Sequence, residues 1–169
     1  MSTERNPEQP PRLDVSTLAP GVYKAMMRLE MEIRKGIDPT LHELVQIRAS
    51  QINYCAYCLD MHTKDALAKG ESIERIIQLS AWEESKHFYS PKEIAALELT
   101  EAITLITDGF VPDEGFERAR KHFDDAELAG LIAAITMINS WNRLSVSVRN
   151  PPGHYTPAAS AESDGLGNA

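Results

Sequence analysis

Apolar residues recur along this chain at helical intervals, and the strict apolar–polar alternation of a half-buried strand is absent. Val22, Met26, Leu29 and Ile33 fall at i, i+4, i+7 and i+11, the spacing of one helical face, and Lys35-Gly36 supplies a last-turn cation and a terminating glycine. Asp38-Pro39 opens a second helix with an N-cap and a proline at its first position, and Leu41, Val45 and Ile52 lie on its apolar face. A third helix is predicted from Cys55 to Lys69, stopping at Gly70, and Ser72 caps a short fourth through Leu79. Ser90-Pro91-Lys92-Glu93 has the form of a capping box. Its helix carries the stripe Ala95, Leu99, Ala102 and Ile106 and is ended by Asp108-Gly109. A short helix covers Glu114 to His122. The segment Asp124 to Glu127 repeats the box ahead of a long helix, Ala126 to Val148. Leu128, Leu131, Ile132, Ile135, Ile138, Trp141 and Leu144 make that helix apolar nearly all round, which predicts a central helix or one that meets another subunit. The expected fold is an all-α helical bundle spanning residues 14–150, with flexible ends at 1–13 and 151–169, the latter rich in Pro, Gly, Ala and Ser.

Composition narrows the functional classes. At 169 residues the chain can bury a core without disulfide staples, and 43% hydrophobic with 25% charged residues is an ordinary globular balance. A formal net charge of -8 argues against nucleic acid or an anionic membrane surface as partner. No apolar run approaches the ~20 residues that span a bilayer. The first residues are polar and Pro-rich and lack a signal-peptide core, so a cytoplasmic setting is expected. The two cysteines sit three residues apart, where a disulfide would close almost no chain; that spacing points to redox or metal chemistry.

The chemistry gathers in the segment from Glu43 to His62. On a helix, Cys55 and Cys58 are i, i+3 and Cys58 and His62 are i, i+4, so all three share one surface. A helix starting near Cys55 puts both sulfurs by its first turn, where free N–H groups and the dipole favour a thiolate. A second thiol can resolve a sulfenic acid or a mixed disulfide. His62 can take a proton from one cysteine, and its other nitrogen needs an orienting acceptor, for which Glu43 is a candidate. Unbroken helix would hold Glu43 about 18 Å from Cys55 at 1.5 Å per residue. The chain must therefore fold back between them, and Asn53-Tyr54 is the expected break. The residues alone do not choose which sulfur is the nucleophile. Among the plainer readings, two buried cysteines can simply fill a core. Zinc would need a fourth ligand beyond Cys55, Cys58 and His62, so no metal is expected, and c-type haem would need histidine where Leu59 stands. No cofactor is implied. His42, His87, His122 and His154 have no comparable neighbours in sequence and read as structural, and Met26, Met27 and Met31 read as core or surface.

The pattern E-x11-C-x-x-C-x3-H, with Ala66 and Gly70 following, resembles the AhpD-like alkylhydroperoxidase branch of the carboxymuconolactone decarboxylase superfamily. Trp82 to Thr104 and Ile138-Asn139-Ser140-Trp141-Asn142-Arg143 are similar to its single-domain members, so the resemblance covers about residues 20 to 150. It implies an all-α fold with an active site at a subunit interface, in a homo-oligomer, a trimer or hexamer. It further implies Cys58 as the peroxidatic cysteine, Cys55 as its resolving partner, and Glu43 with His62 as proton relay. Some peroxidase members carry histidine just before the second cysteine, where this chain has Tyr57. The decarboxylases typically lack the cysteine pair, so muconolactone decarboxylation is not expected.

The function expected is thiol-dependent reduction of a small hydroperoxide, with a dithiol protein or small thiol as electron donor. A disulfide reductase or thiol carrier, and a non-enzymatic redox-sensing helical oligomer, are the alternatives.

Overall fold

The computed structural model describes residues 6–158, and over them the chain is helical, without strands. Eight α-helices follow in order: α1 (Val15–Leu18), α2 (Pro20–Arg34), α3 (Pro39–Ile52), α4 (Ala56–Ala68), α5 (Ile73–Gln78), α6 (Pro91–Thr104), α7 (Asp113–Arg120) and α8 (Asp125–Val148). Two short 3-10 turns, Leu79–Ala81 and Lys86–Phe88, join α5 to α6.

The predicted starts form for the predicted reasons. Asp38 accepts from the Leu41 N–H at 2.9 Å with Pro39 at the first helical position. Both boxes, Ser90 with Glu93 and Asp124 with Glu127, close reciprocally. Gly70, at φ 92°, takes the left-handed turn after α4. The stripe of α6 stops short: the helix ends at Thr104, and Ile106, expected inside, lies in the following turn half exposed.

The central helix is α3. Nine of its fourteen residues are buried, and it packs against α4, α6 and α8. Leu44, Val45, Ile47 and Ala49 fill the core on its several faces, while α8 supplies the long wall with Leu131, Ile135 and Ile138 fully buried. The most enclosed helix is thus α3, and α8, expected to be central or to meet another subunit, packs along it. Apolar content alone favoured α8, but α3 is enclosed on every side partly through paired polar groups, which hydrophobic patterning does not count.

The face of α2 also differs. Val22 and Leu29 point outward, 58% and 52% exposed, and the inward positions are Tyr23, Met26, Glu30 and Ile33. Arg34 and His42 hold Glu30 inside by ion pairing, which turns the helix away from the orientation its aliphatic residues suggested.

Candidate thiol site

Helix α3 ends at Ile52, α4 begins at Ala56, and the three residues between reverse the chain. Tyr54 takes φ 54°, an uncommon conformation for a bulky residue, and the Cys55 N–H donates back to the Ser50 carbonyl at 3.0 Å. Asn53 fixes the turn by donating to Asn139 Oδ1 and Asn142 Oδ1 on α8, both at 2.9 Å, and Asn142 in turn donates to Ser50 Oγ. The break expected at Asn53-Tyr54 is thus present, and α3 and α4 lie side by side with Glu43 opposite His62.

Cys55 is the N-cap of α4, and Cys58 lies one turn in. Both thiols are free and buried, with their sulfurs 2.8 Å apart. The hydrogen bond between them makes the first ionisation of the pair easier and the second harder. It pulls Cys55 down to about 7 against the opposing effect of burial, and it pushes Cys58 upward, helped by burial and by the neighbouring charge. Nearby Asn142 and Ser145 favour the charged form of both. One proton is shared between the two sulfurs, so this electrostatic ordering says which sulfur holds the charge at rest. It does not say which one a substrate meets. Access distinguishes them: Cys58 lines a cavity of about 390 Å³, and Cys55 sits behind it.

That cavity runs between α2 and α4 and is closed by Trp141 and Ser145 of α8 and by Tyr155. Its walls are largely apolar, with Met27, Met31, Met61 and Trp141 facing Cys58 and His62. Met27 and Met31 therefore belong to the site's wall, and Trp141 is held edge-on against Tyr23 at 5.5 Å between ring centres. Tyr155, within the stretch expected to form a flexible tail, donates to Asp65 Oδ1 at 2.7 Å, and its carbonyl accepts from Lys64 Nζ at 2.9 Å.

Glu43 is 1% exposed, and its carboxylate is fully engaged. Oε2 lies 2.9 Å from His62 Nδ1, and Oε1 lies 2.5 Å from Lys69 Nζ and 3.9 Å from His42 Nδ1. Burial would raise its titration, but hydrogen bonds from His42, His62 and Lys69 and the attraction of His62 hold it far below the usual carboxylate range. An ionised carboxylate only accepts, so His62 Nδ1 carries the proton and its Nε2 is the nitrogen free to act as a base. No hydrogen bond joins His62 to either sulfur among the described residues; both groups face the same cavity, and a molecule bound there can bridge them.

His42, read from sequence as structural, has neighbours after all. Its Nε2 lies 3.3 Å from Glu30 Oε1 and 2.8 Å from the Gln46 amide nitrogen, while Gln46 Oε1 has no partner. Turning that amide over gives the imidazole N–H an acceptor. Although burial works against it, pairing with Glu30 and Glu43 raises the titration of His42. Lys69 and Glu30 were likewise missed: each comes from a different turn or helix, and no local motif ties it to Glu43. Donor atoms of Glu43, His62 and Asp65 lie within 4.8 Å of one another, and each Glu43 oxygen already has a partner, His62 or Lys69.

The model of the carboxymuconolactone decarboxylase family matches residues 20–102, a span that contains all four expected site residues. The uncharacterized protein YdfG of Bacillus subtilis is 47% identical over 140 residues, covering 82% of this chain and 95% of YdfG. The chain belongs to the carboxymuconolactone decarboxylase family, in its AhpD-like branch. A crystal structure from Agrobacterium tumefaciens, of a protein of unknown function described as a putative antioxidant defence protein AhpD, superposes on this AhpD-like chain with a TM-score of 0.83 at 36% identity. The match covers 86% of this chain and all of that one. A peroxidase-related protein from Ralstonia eutropha, described as an alkylhydroperoxidase AhpD core, shares the fold at a TM-score of 0.72 and 19% identity over 85% of this chain and 77% of its own. Among the described residues of this AhpD-like protein, no helix is long and apolar enough to cross a membrane.

Proposed function

We propose that this protein reduces organic hydroperoxides through its dithiol, with Cys58 as nucleophile, Cys55 as resolving thiol, His62 as base and Glu43 as the anion that orients it. The observation that carries the proposal is that Cys58 and His62 line one largely apolar cavity, with the Cys55 sulfur 2.8 Å from that of Cys58. The Cys58 thiolate attacks the terminal oxygen of R–O–O–H; the S–O bond forms, the O–O bond breaks, and the alkoxide leaves with the proton that His62 removed from the thiol pair. The products are R–OH and Cys58 sulfenic acid. Cys55 then attacks Cys58 sulfur, expelling hydroxide that is protonated to water, and a disulfide forms. Two electrons and two protons from a dithiol or two thiols return the pair to its reduced state.

The enclosure favours this reading over disulfide exchange with a folded protein. Both sulfurs are at most 2% exposed, so only a small or slender molecule reaches Cys58. The reading takes the protein to be a homo-oligomer in the cytoplasm, with no cofactor.

Single-turnover oxidation by cumene hydroperoxide, followed from pH 6 to pH 10 in wild type and His62→Ala, tests the assignment. General-base help is worth about 10²–10⁴-fold, so the variant is slowed by that order at pH 6 and much less at pH 10, where solvent removes the proton. A defect of equal size at every pH would show that His62 does not act by activating the thiol.

A further inference from the structure

Glu43 meets two basic side chains with one charge. Its Oε2 orients His62, while its Oε1 is held at 2.5 Å by Lys69, the residue just past the end of α4 and seven positions beyond His62 on the same helix side. The Lys69 side chain is 44% exposed, whereas those of Glu43 and His62 are 2% and 3% exposed. The ammonium therefore reaches in from the surface to a buried carboxylate.

We infer that Lys69 is a positioning residue for His62. It pins one oxygen of Glu43 so that the other meets Nδ1, and its own charge works against an imidazolium on the far side of the carboxylate. Two effects act in the same direction. An ammonium on Glu43 repels an imidazolium formed on the carboxylate's other side, and it draws off part of the attraction that would stabilise that imidazolium. Without Lys69, Glu43 would serve His62 alone, and His62 would hold its proton to higher pH.

The other charged and titratable groups around His62 are Tyr23, Glu30 and Arg34 from α2, His42 from α3, Tyr57, Cys58 and Asp65 from its own helix, and Tyr155 from the C-terminal segment. Glu30 pairs with Arg34 at 2.9 Å and with His42 at 3.3 Å, and Asp65 accepts from Tyr155. None of these groups is bonded to Lys69, so replacing it leaves their pairings in place. The inference rests on the proposed role of His62 as base, but its central measurement needs no peroxide.

The test is the ring nitrogen spectrum of His62 in ¹⁵N-histidine-labelled protein, titrated in wild type, Lys69→Met and Lys69→Arg, with Lys92→Met as a control that removes a distant pair, Lys92–Glu127. In Lys69→Met the imidazolium signal persists to a pH about one unit higher, a tenfold gain in proton affinity, as expected when a neighbouring cation is removed. The rise of thiol oxidation with pH moves by the same amount. Lys69→Arg restores the wild-type titration, and Lys92→Met leaves it unchanged. If the His62 titrations of Lys69→Met and wild type superimpose, or if the Arg variant behaves like the Met variant, the inference is overturned. A shifted ring titration in a protein that reduces no hydroperoxide would keep the role of Lys69 and discard the proposed reaction.

Discussion

Glu30 offers a way to measure the buried charge network by stability alone. Its carboxylate is 7% exposed, accepts from Arg34 at 2.9 Å and lies 3.3 Å from His42. Burial raises its titration, yet hydrogen bonds and attraction from His42 and Arg34 prevail and bring it from an ordinary 4.5 to about 2. A difference of about 2.5 pH units, at about 1.4 kcal/mol per unit, corresponds to about 3.5 kcal/mol of folding free energy. The folded state releases the proton more readily than the unfolded chain. The contribution is therefore complete above about pH 4.5 and is lost as the pH falls toward 2. Glu30→Gln keeps the shape and removes the charge, so it resembles the protonated wild type. Urea unfolding of both proteins at one protein concentration, from pH 7 down to pH 3, should give a variant about 3.5 kcal/mol less stable at pH 7, with the gap closing steadily below pH 4.5. A gap that stayed constant across that range would refute the reasoning, since the loss would then come from packing and not from charge.

Three further outcomes follow from the geometry. Asn53→Ala strips donors from the buried carbonyls of Asn139 and Asn142 and should cost about 1–3 kcal/mol in unfolding experiments; no loss would mean that the turn holds without this clamp. In Cys58→Ala, Cys55 loses the thiol partner that is the largest cause of its low titration, so its alkylation by iodoacetamide should need a higher pH than in wild type; an unchanged profile would remove the sulfur–sulfur hydrogen bond as cause. Leu18, Val22 and Leu29 expose apolar side chains, and sedimentation at micromolar concentration should find a trimer or hexamer, whereas a monomer would contradict an interface at these residues.

Much of the arrangement was legible because it is local. Two intervals on one helix, Cys55 to Cys58 to His62, and caps that are themselves short motifs, place the thiols and the starts of α3, α6 and α8 within a residue or two. The distance between Glu43 and Cys55 along an unbroken helix was enough to require the turn at Asn53-Tyr54. What escaped is what depends on packing between distant segments. A glutamate in α2 reads as a surface residue until His42 arrives from α3 to meet it, and with Glu30 turned inward, Val22 and Leu29 turn out. Lys69 looks like an ordinary helix-ending cation, and only the α3–α4 pairing brings it to Glu43. Tyr155 belongs to a stretch with the composition of a tail, and two hydrogen bonds to α4 side chains keep it against the cavity.

Helix α4 carries Cys55 at its cap, then Cys58, His62, Asp65 and Lys69 at steps of three, four, three and four residues. That is the rhythm of a coiled-coil seam, written in reactive and charged groups where such a seam would place leucine and isoleucine. The helix has given its best packing stripe to chemistry and relies on α3 and α8 to keep it in place. An inert scaffold is therefore only a few substitutions away. A chain with apolar residues of matching volume at Glu43, His62 and Lys69 should fold at least as well as this one, since well-packed hydrophobic groups often equal or exceed a buried ion pair in stability. Selection for thermal stability alone would erode this site first, and the persistence of its charged residues in a lineage would report continued use.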